Sequence, residues 1–210
     1  DRSFTISTRQ IAGSTYNVTV TDQPYGHTCS VVNGSGVVTD HNITNINVTC
    51  IDNRRRVGGT VTGLGGGSIQ LRTEKNTYHY QTITVSENGN FSFENLFAPG
   101  DEYSVTVYKQ PYDQLCDVTN GSGTIGEVDI TNVKVTCQNT YTIGGTVEGI
   151  NAGKIKLGNN GNWKTVYGNR DFIFSRRLLP GTSYNTTIIE EPYGHTCAVT
   201  NASGIVTNHN

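Results

Sequence analysis

The sequence predicts an all-β chain of tandem β sandwiches, each stapled by one disulfide, and three observations carry that reading. Apolar residues alternate with polar ones in short runs rich in threonine, valine, isoleucine and tyrosine, and no window has helical periodicity. Two cysteine pairs, Cys29 with Cys50 and Cys116 with Cys137, share a separation of 21 residues and enclose related turns, Asn33-Gly34-Ser35-Gly36 and Asn120-Gly121-Ser122-Gly123. A third copy opens at Cys197 with the turn Asn201-Ala202-Ser203-Gly204, and Tyr16, Tyr103 and Tyr184 each precede the first cysteine of a copy by 13 residues.

Within a copy the elements follow in a fixed order. Val57-Gly58-Gly59-Thr60-Val61 and Ile143-Gly144-Gly145-Thr146-Val147 open copies two and three, and Ile69-Gln70-Leu71 matches Ile155-Lys156-Leu157. The region near Asn76 and Asn160 absorbs a five-residue difference between these copies, which is expected of a surface loop. A half-buried strand comes next, marked by Phe4 and Ile6, Phe91 and Phe93, Phe172 and Phe174. Turns at Ala12-Gly13, Pro99-Gly100 and Pro180-Gly181 lead into a second alternating strand, with Tyr103, Val105 and Val107 on one face. It ends before Pro24, Pro111 and Pro192.

The cysteine hairpin closes each copy. Cys137 shares parity with Val135 and Val133, and Cys116 with Val118, so both sulfurs face inward and tie neighbouring strands over the core. Closing a loop of about 21 residues stabilises by roughly 3 kcal/mol in the chain-entropy model. The boundaries that follow are residues 1–52 for the C-terminal part of a first sandwich repeat, 53–139 for a complete repeat and 140–210 for a third lacking its last strand. The partner of Cys197 is expected outside the chain. Short connections at residues 51–56 and 138–140 predict stiff junctions. Arg54-Arg55-Arg56 reads as a set of interdomain ion pairs or solvated charges, not as a binding patch.

Composition removes several classes of function. A net charge of -2 from 15 basic and 17 acidic residues leaves no electrostatic footprint for nucleic acid or an anionic membrane. No apolar run approaches the roughly 18 to 20 residues of a membrane span. Regularly spaced disulfides predict an oxidising location, extracellular or at a cell surface.

The complete copy resembles the prealbumin-like domains of bacterial surface proteins, the carboxypeptidase-regulatory-like and collagen-adhesin B-type families. The residues that carry the resemblance are Val57-Gly58-Gly59-Thr60-Val61, Asn88-Gly89-Asn90-Phe91-Ser92-Phe93, Leu96, Pro99-Gly100 and Tyr103-Ser104-Val105-Thr106-Val107. It covers the upstream two-thirds of each unit, and the cysteine hairpin is an addition to it. The resemblance implies tandem immunoglobulin-like or prealbumin-like sandwiches in a stalk, adhesin or fibre of a bacterium, with no catalytic machinery and no cofactor. Collagen-adhesin B-type domains often carry a lysine to asparagine isopeptide bond. Lys154 and Lys156 align with Ser68 and Gln70, so a shared bond of that kind is not expected.

Chemistry-bearing residues are few. Pro-Tyr-Gly-His-Thr-Cys occurs twice, at His27 and His195, and suggests a Cys-His nucleophile. The middle copy has Gln114 in that place, and a disulfide-bonded cysteine does not attack, so no enzyme is predicted. His41, His209, Asp113, Asp117, Glu127 and Asp129 fit neither calcium nor zinc spacing. Asn17, Asn33, Asn42, Asn47, Asn90, Asn120, Asn185 and Asn201 stand in glycosylation sequons. Tyr78 and Tyr80, opposite Trp163 and Tyr167, are candidate ligand-binding aromatics, with an exposed platform for sugar or protein as the arrangement to look for.

The leading functional expectation is a structural repeat segment of a long extracellular fibre, filament or surface stalk. Its partners are then neighbouring copies of the same protein or further repeats of the same chain. An adhesin or carbohydrate- or protein-binding module with a host or matrix ligand is the alternative. A subunit that polymerises by strand addition between chains is the second alternative.

Overall fold

The computed structural model describes residues 2–76, 79–150 and 152–208. It bears out the all-β class, since no helix occurs among the described residues. The first stretch holds β1 (Thr15–Asn17), β2 (His27–Val32), β3 (Ser35–Val37) and β4 (Asn47–Asp52). The middle stretch holds β5 (Val57–Thr62), β6 (Ile69–Asn76), β7 (His79–Val85), β8 (Gly89–Ser92), β9 (Glu102–Lys109), β10 (Gln114–Thr119), β11 (Ser122–Thr124) and β12 (Ile130–Asn139). The third holds β13 (Gly144–Val147), β14 (Lys154–Asn159), β15 (Asn162–Tyr167), β16 (Arg170–Ile173), β17 (Ser183–Glu190) and β18 (Ser203–Ile205).

The middle stretch is a β sandwich of two four-stranded sheets, ordered β10-β12-β5-β8 and β11-β9-β6-β7. Alternation places the inward residues of both sheets in one core: Val57 and Val61 of β5 and Val133 and Val135 of β12 meet Ile69 and Leu71 of β6 and Val105 of β9. Each fully buried valine, leucine or isoleucine contributes roughly 1.5–3 kcal/mol over an exposed one. Phe91 and Phe93 both face this core, edge to face with centroids 5.9 Å apart. β12 runs parallel to β5 and antiparallel to β10, so the last strand closes the sheet that the first one opens.

The flanking stretches repeat parts of this plan. β1 with β3, β9 with β11 and β17 with β18 are antiparallel pairs in the same three-residue register, and β2 with β4 matches β10 with β12. The third stretch has a smaller core of Val147, Ile150, Ile155, Leu157, Val166 and Phe174. Among residues 2–56, Cys29 is the one buried apolar residue. The chain exposes 14120 Å², against about 9,600 Å² for a single globule of this mass. Among the described residues the buried apolar side chains fall in two separate clusters.

Three expectations change. Phe4 and Ile6 lie in no strand and are exposed. Their counterparts Phe91 and Phe172 sit in β8 and β16, which pair with the glycine-containing strands β5 and β13, and the first stretch has no such strand to offer a ladder. Likewise Cys197 lies outside any strand. In the other two stretches the strand of the first cysteine is held by the strand of the second, and among the described residues no strand pairs with residues 195–199. The five-residue length difference falls in strands as well as loop. Ile69 faces Val85 and Ile155 faces Val166, so the β6–β7 hairpin is the longer by the whole amount. Hairpins lengthen by opposed pairs, and the odd residue is taken up by a bulge between Glu74 and Asn76.

Candidate functional site

Each stretch reaches its first cysteine through a loop built on proline and tyrosine: Gln23-Pro24-Tyr25-Gly26-His27, Gln110-Pro111-Tyr112-Asp113-Gln114 and Glu191-Pro192-Tyr193-Gly194-His195. Gln23 clamps the first loop, accepting from the Cys29 amide at 2.7 Å while its own Nε2 donates to the Cys29 carbonyl at 3.1 Å. Gln110 does the same to Cys116, at 2.8 and 2.9 Å. Glu191 keeps only the acceptor half, taking the Cys197 amide at 3.1 Å. A carboxylate has no N–H to return.

The clamp projects the tyrosine onto the following stretch. The Tyr25 hydroxyl donates to Asp101 Oδ2, and accepts from Lys75 Nζ at 2.6 Å and from the Ala98 amide at 3.0 Å. Lys75 Nζ lies 4.0 Å from the centre of the Tyr25 ring and 2.8 Å from Asp101 Oδ2, so hydroxyl, ammonium and carboxylate form one cluster. Burial raises the pKa of Asp101, but hydrogen bonds from Lys75, Tyr25 and the Ala98 amide outweigh it and leave the carboxyl below its ordinary value. Burial likewise works against the charge on Lys75, and its bonds to Asp101 and Tyr25 raise its pKa above the ordinary lysine value.

The second loop uses different groups at the same place. Arg177 donates to the Thr140 carbonyl at 2.5 Å and to Thr140 Oγ1 at 2.9 Å, and pairs with Asp113 at 3.1 Å. Its guanidinium carbon is 5.9 Å from the centre of the Tyr112 ring. Isolated bridges, Arg55 with Phe97 and Tyr141 with Leu178, stitch the two connections to the stretches they enter. Of the three consecutive arginines, Arg54 pairs with Asp52 at 2.8 Å and Arg55 donates to the Glu127 carbonyl at 2.6 Å. The amide of Arg56 donates to Asp129. Hydrogen bonds from the Arg54 side chain and amide hold Asp52 well below the usual carboxylate range.

Cys29 is bonded to Cys50 and Cys116 to Cys137, each pair directly opposite in its ladder with Cα atoms 3.9 Å apart. Cys197 carries a free thiol, half-buried. Tyr80 lies on the edge strand β7 under Arg72, 3.9 Å from guanidinium carbon to ring centre, and Trp163 lies on the edge strand β15 with Lys156 Nζ at 4.5 Å. Tyr167 lines an open groove with Arg170 and Phe172. Trp163 and Tyr167 share β15, whereas Tyr80 belongs to a different sheet; Tyr78 lies outside the described residues, as does His209. Lys154 pairs with Glu190 at 3.5 Å. All eight sequon asparagines are exposed, and Asn33, Asn120 and Asn201 hold the left-handed backbone conformation of their turns.

His27 and His195 are turned back on their own loops. Each ring Nδ1 lies against the carbonyl oxygen of the tyrosine two residues earlier, at 2.9 and 3.0 Å. His41 pairs with Asp40 in full solvent. Among the described residues, no three histidine, cysteine or acidic side chains gather where a metal ion would sit. None of the helices that cross membranes is represented, since no described helix is long and apolar enough.

No protein-family model matches the chain, and no curated protein matches it in sequence. Solved structures similar to it include two from pili. One is a streptococcal ancillary pilin. The likeness has a TM-score of 0.41 at 13% identity and covers 84% of this chain and 66% of the pilin. The other is the pilus adhesin SpaC of Lactobacillus rhamnosus GG, with a TM-score of 0.25 at 9% identity, covering 72% of this chain and 26% of the adhesin. Likeness at this level carries no function across.

The residues that matter at the junctions were not marked by any motif. Lys75, Asp101 and Arg177 are single charges on different strands and loops, which only folding gathers. The repeated Gln or Glu just before each proline was a usable signal, because a side-chain amide beside a turn and six residues from a cysteine reaches that residue's backbone.

Proposed function

We propose that the chain is a structural segment of a long extracellular fibre or surface stalk, built from tandem β units of the prealbumin-like kind at residues 1–52, 53–139 and 140–210. The observation that carries this reading is the seating of Tyr25 on Lys75 and Asp101, which fixes one stretch to the next. Arg177 with Asp113 and Thr140 supports it at the following connection. The surface area, half as large again as a single globule would expose, supports a chain of separate cores.

The mechanism of such a segment is mechanical. Backbone bridges and charged clusters limit bending at each junction, and the cysteine bonds limit how far a loaded hairpin opens. The two disulfides suit a location outside the cell. The adhesin reading has weaker support, because Tyr80 lies on a different sheet from Trp163 and Tyr167 and the three form no shared platform.

Imaging the surface of the producing cell with an antibody raised against the chain tests the proposal. Label spaced regularly along thin filaments or stalks is the expected result. Label confined to a compact particle, or to the cytoplasm, overturns it.

A further inference from the structure

The third loop is shaped like the first, and among the described residues no lysine or aspartate side chain meets its tyrosine. Residues 192–197 and 24–29 have the same sequence, Pro-Tyr-Gly-His-Thr-Cys. The histidine amide bonds the proline carbonyl in both, at 2.9 Å for His27 and 3.1 Å for His195, and the histidine ring returns to the tyrosine carbonyl in both. Gly26 and Gly194 have φ of 69° and 72°, a conformation that suits glycine. Yet Tyr25 is 50% exposed and Tyr193 is 102% exposed. The two loops share one conformation, the one in which Tyr25 meets Lys75 and Asp101.

The residue after the tyrosine differs between the two kinds of loop. Beside Gly26, the stem of Arg54 occupies the space where a β-carbon would stand, with Cγ 2.2 Å from that point, and the tyrosine hydroxyl reaches a lysine and an aspartate. Asp113, at the same place in the second loop, instead pairs with an arginine. Asp101 is replaced by Thr182 at the matching position of the third stretch. Loop and receiving surface are thus matched in kind: glycine with a lysine–aspartate pair, aspartate with an arginine.

We propose that the Tyr193 loop is a docking plug for a β unit of the middle kind, one that carries a lysine and an aspartate where residues 53–139 carry Lys75 and Asp101. Tyr193 supplies the hydroxyl to that pair and its ring to the ammonium, and an arginine-bearing surface of the Arg177 kind is refused for want of the loop carboxylate. The inference deepens the fibre reading and rests on it, since it names the neighbour each kind of loop accepts.

The test extends the full chain after Asn210 with a second copy of its own residues 43–139, which repeats the sequence that follows the matching residue Asn42. Nitration of Tyr193 by tetranitromethane is followed by peptide mass mapping on the oxidised, soluble fraction, with Tyr25 as the internal standard. In the unextended chain Tyr193 nitrates faster than Tyr25. In the extended chain it slows about tenfold, the protection given by one or two net hydrogen bonds, and Lys75→Glu made in the appended copy alone restores the fast rate. An unchanged rate on extension overturns the proposal, and so does a slowed rate that the lysine reversal leaves slow. Failure here leaves filament imaging untouched, and failure of the imaging leaves this contact standing.

Discussion

The ring of Tyr103 lies across Gly123, its cross-strand partner between β9 and β11, with Cε1 and the hydroxyl oxygen each 3.1 Å from the point where a β-carbon on Gly123 would stand. Tyr16 over Gly36 and Tyr184 over Gly204 repeat the relation, with the hydroxyl oxygen at 2.8 Å in both. Tyr103 is buried, so its ring has little room to retreat. Gly123→Ala should destabilise the chain by about 1–3 kcal/mol through overpacking. Urea unfolding followed by circular dichroism checks this, and an unshifted midpoint would contradict it.

The two disulfides should open in order. Cys116 and Cys137 are both buried in the sandwich core, whereas Cys50 sits on β4, whose every residue is exposed. Their loops are of equal length, so the entropic contribution is the same, roughly 3 kcal/mol each, and access decides the order. Mild reduction with alkylation and mass mapping should label Cys29 and Cys50 well before Cys116 and Cys137. Simultaneous labelling would contradict it.

The Tyr25 contact should depend on pH in a definite direction. The pKa of Asp101 is lowered in the folded chain, so its contribution is complete above the ordinary carboxylate value and is lost as pH falls through the lowered one. The pKa of Lys75 is raised, so its contribution is complete below the ordinary lysine value and is lost as pH rises through the raised one. The Ala98 amide, which donates to both Asp101 and Tyr25, reports on the acid limb. Its exchange protection, corrected for the intrinsic rate, should hold at neutral pH and fall below about pH 4. Constant protection down to pH 2 would contradict this.

Arg177→Ala should cost about 1–2 kcal/mol, since it removes two hydrogen bonds to Thr140 and the pairing with Asp113 from a half-exposed site. Arg177→Lys should recover less than half, because a lysine cannot present two fixed N–H groups to the Thr140 carbonyl and hydroxyl together. Thermal unfolding of the two variants beside the parent measures both effects. Equal stability of the alanine and lysine variants with the parent would contradict them.

The all-β class was legible because burial follows a two-residue period. In β12 that period places Val133, Val135 and Cys137 inward and Lys134 and Thr136 outward. The tyrosine spacing and the Asn-Gly-Ser-Gly turn were both visible as motifs, but nothing local says that the ring of one lies on the second glycine of the other. That relation depends on register, which the ladder sets. Phe4 and Ile6 show the opposite case: their period is right for a strand, yet a strand also needs a neighbour to bond, and none is supplied. The junction cluster was the least legible part. Lys75, Asp101 and Tyr25 lie far apart in sequence and have no spacing rule, and their meaning comes only from the loop that carries Tyr25 to them.

Under the proposed reading the chain is a row of β units and not one globule, with the two clusters of buried residues kept apart. Small-angle X-ray scattering of the oxidised 210-residue chain in dilute solution tests it most directly. A single compact domain of this length has a radius of gyration near ~17 Å. The account predicts a clearly larger value with an asymmetric distance distribution that persists across the neutral pH range. A value near that of a compact globule, with a symmetric distribution, would contradict it.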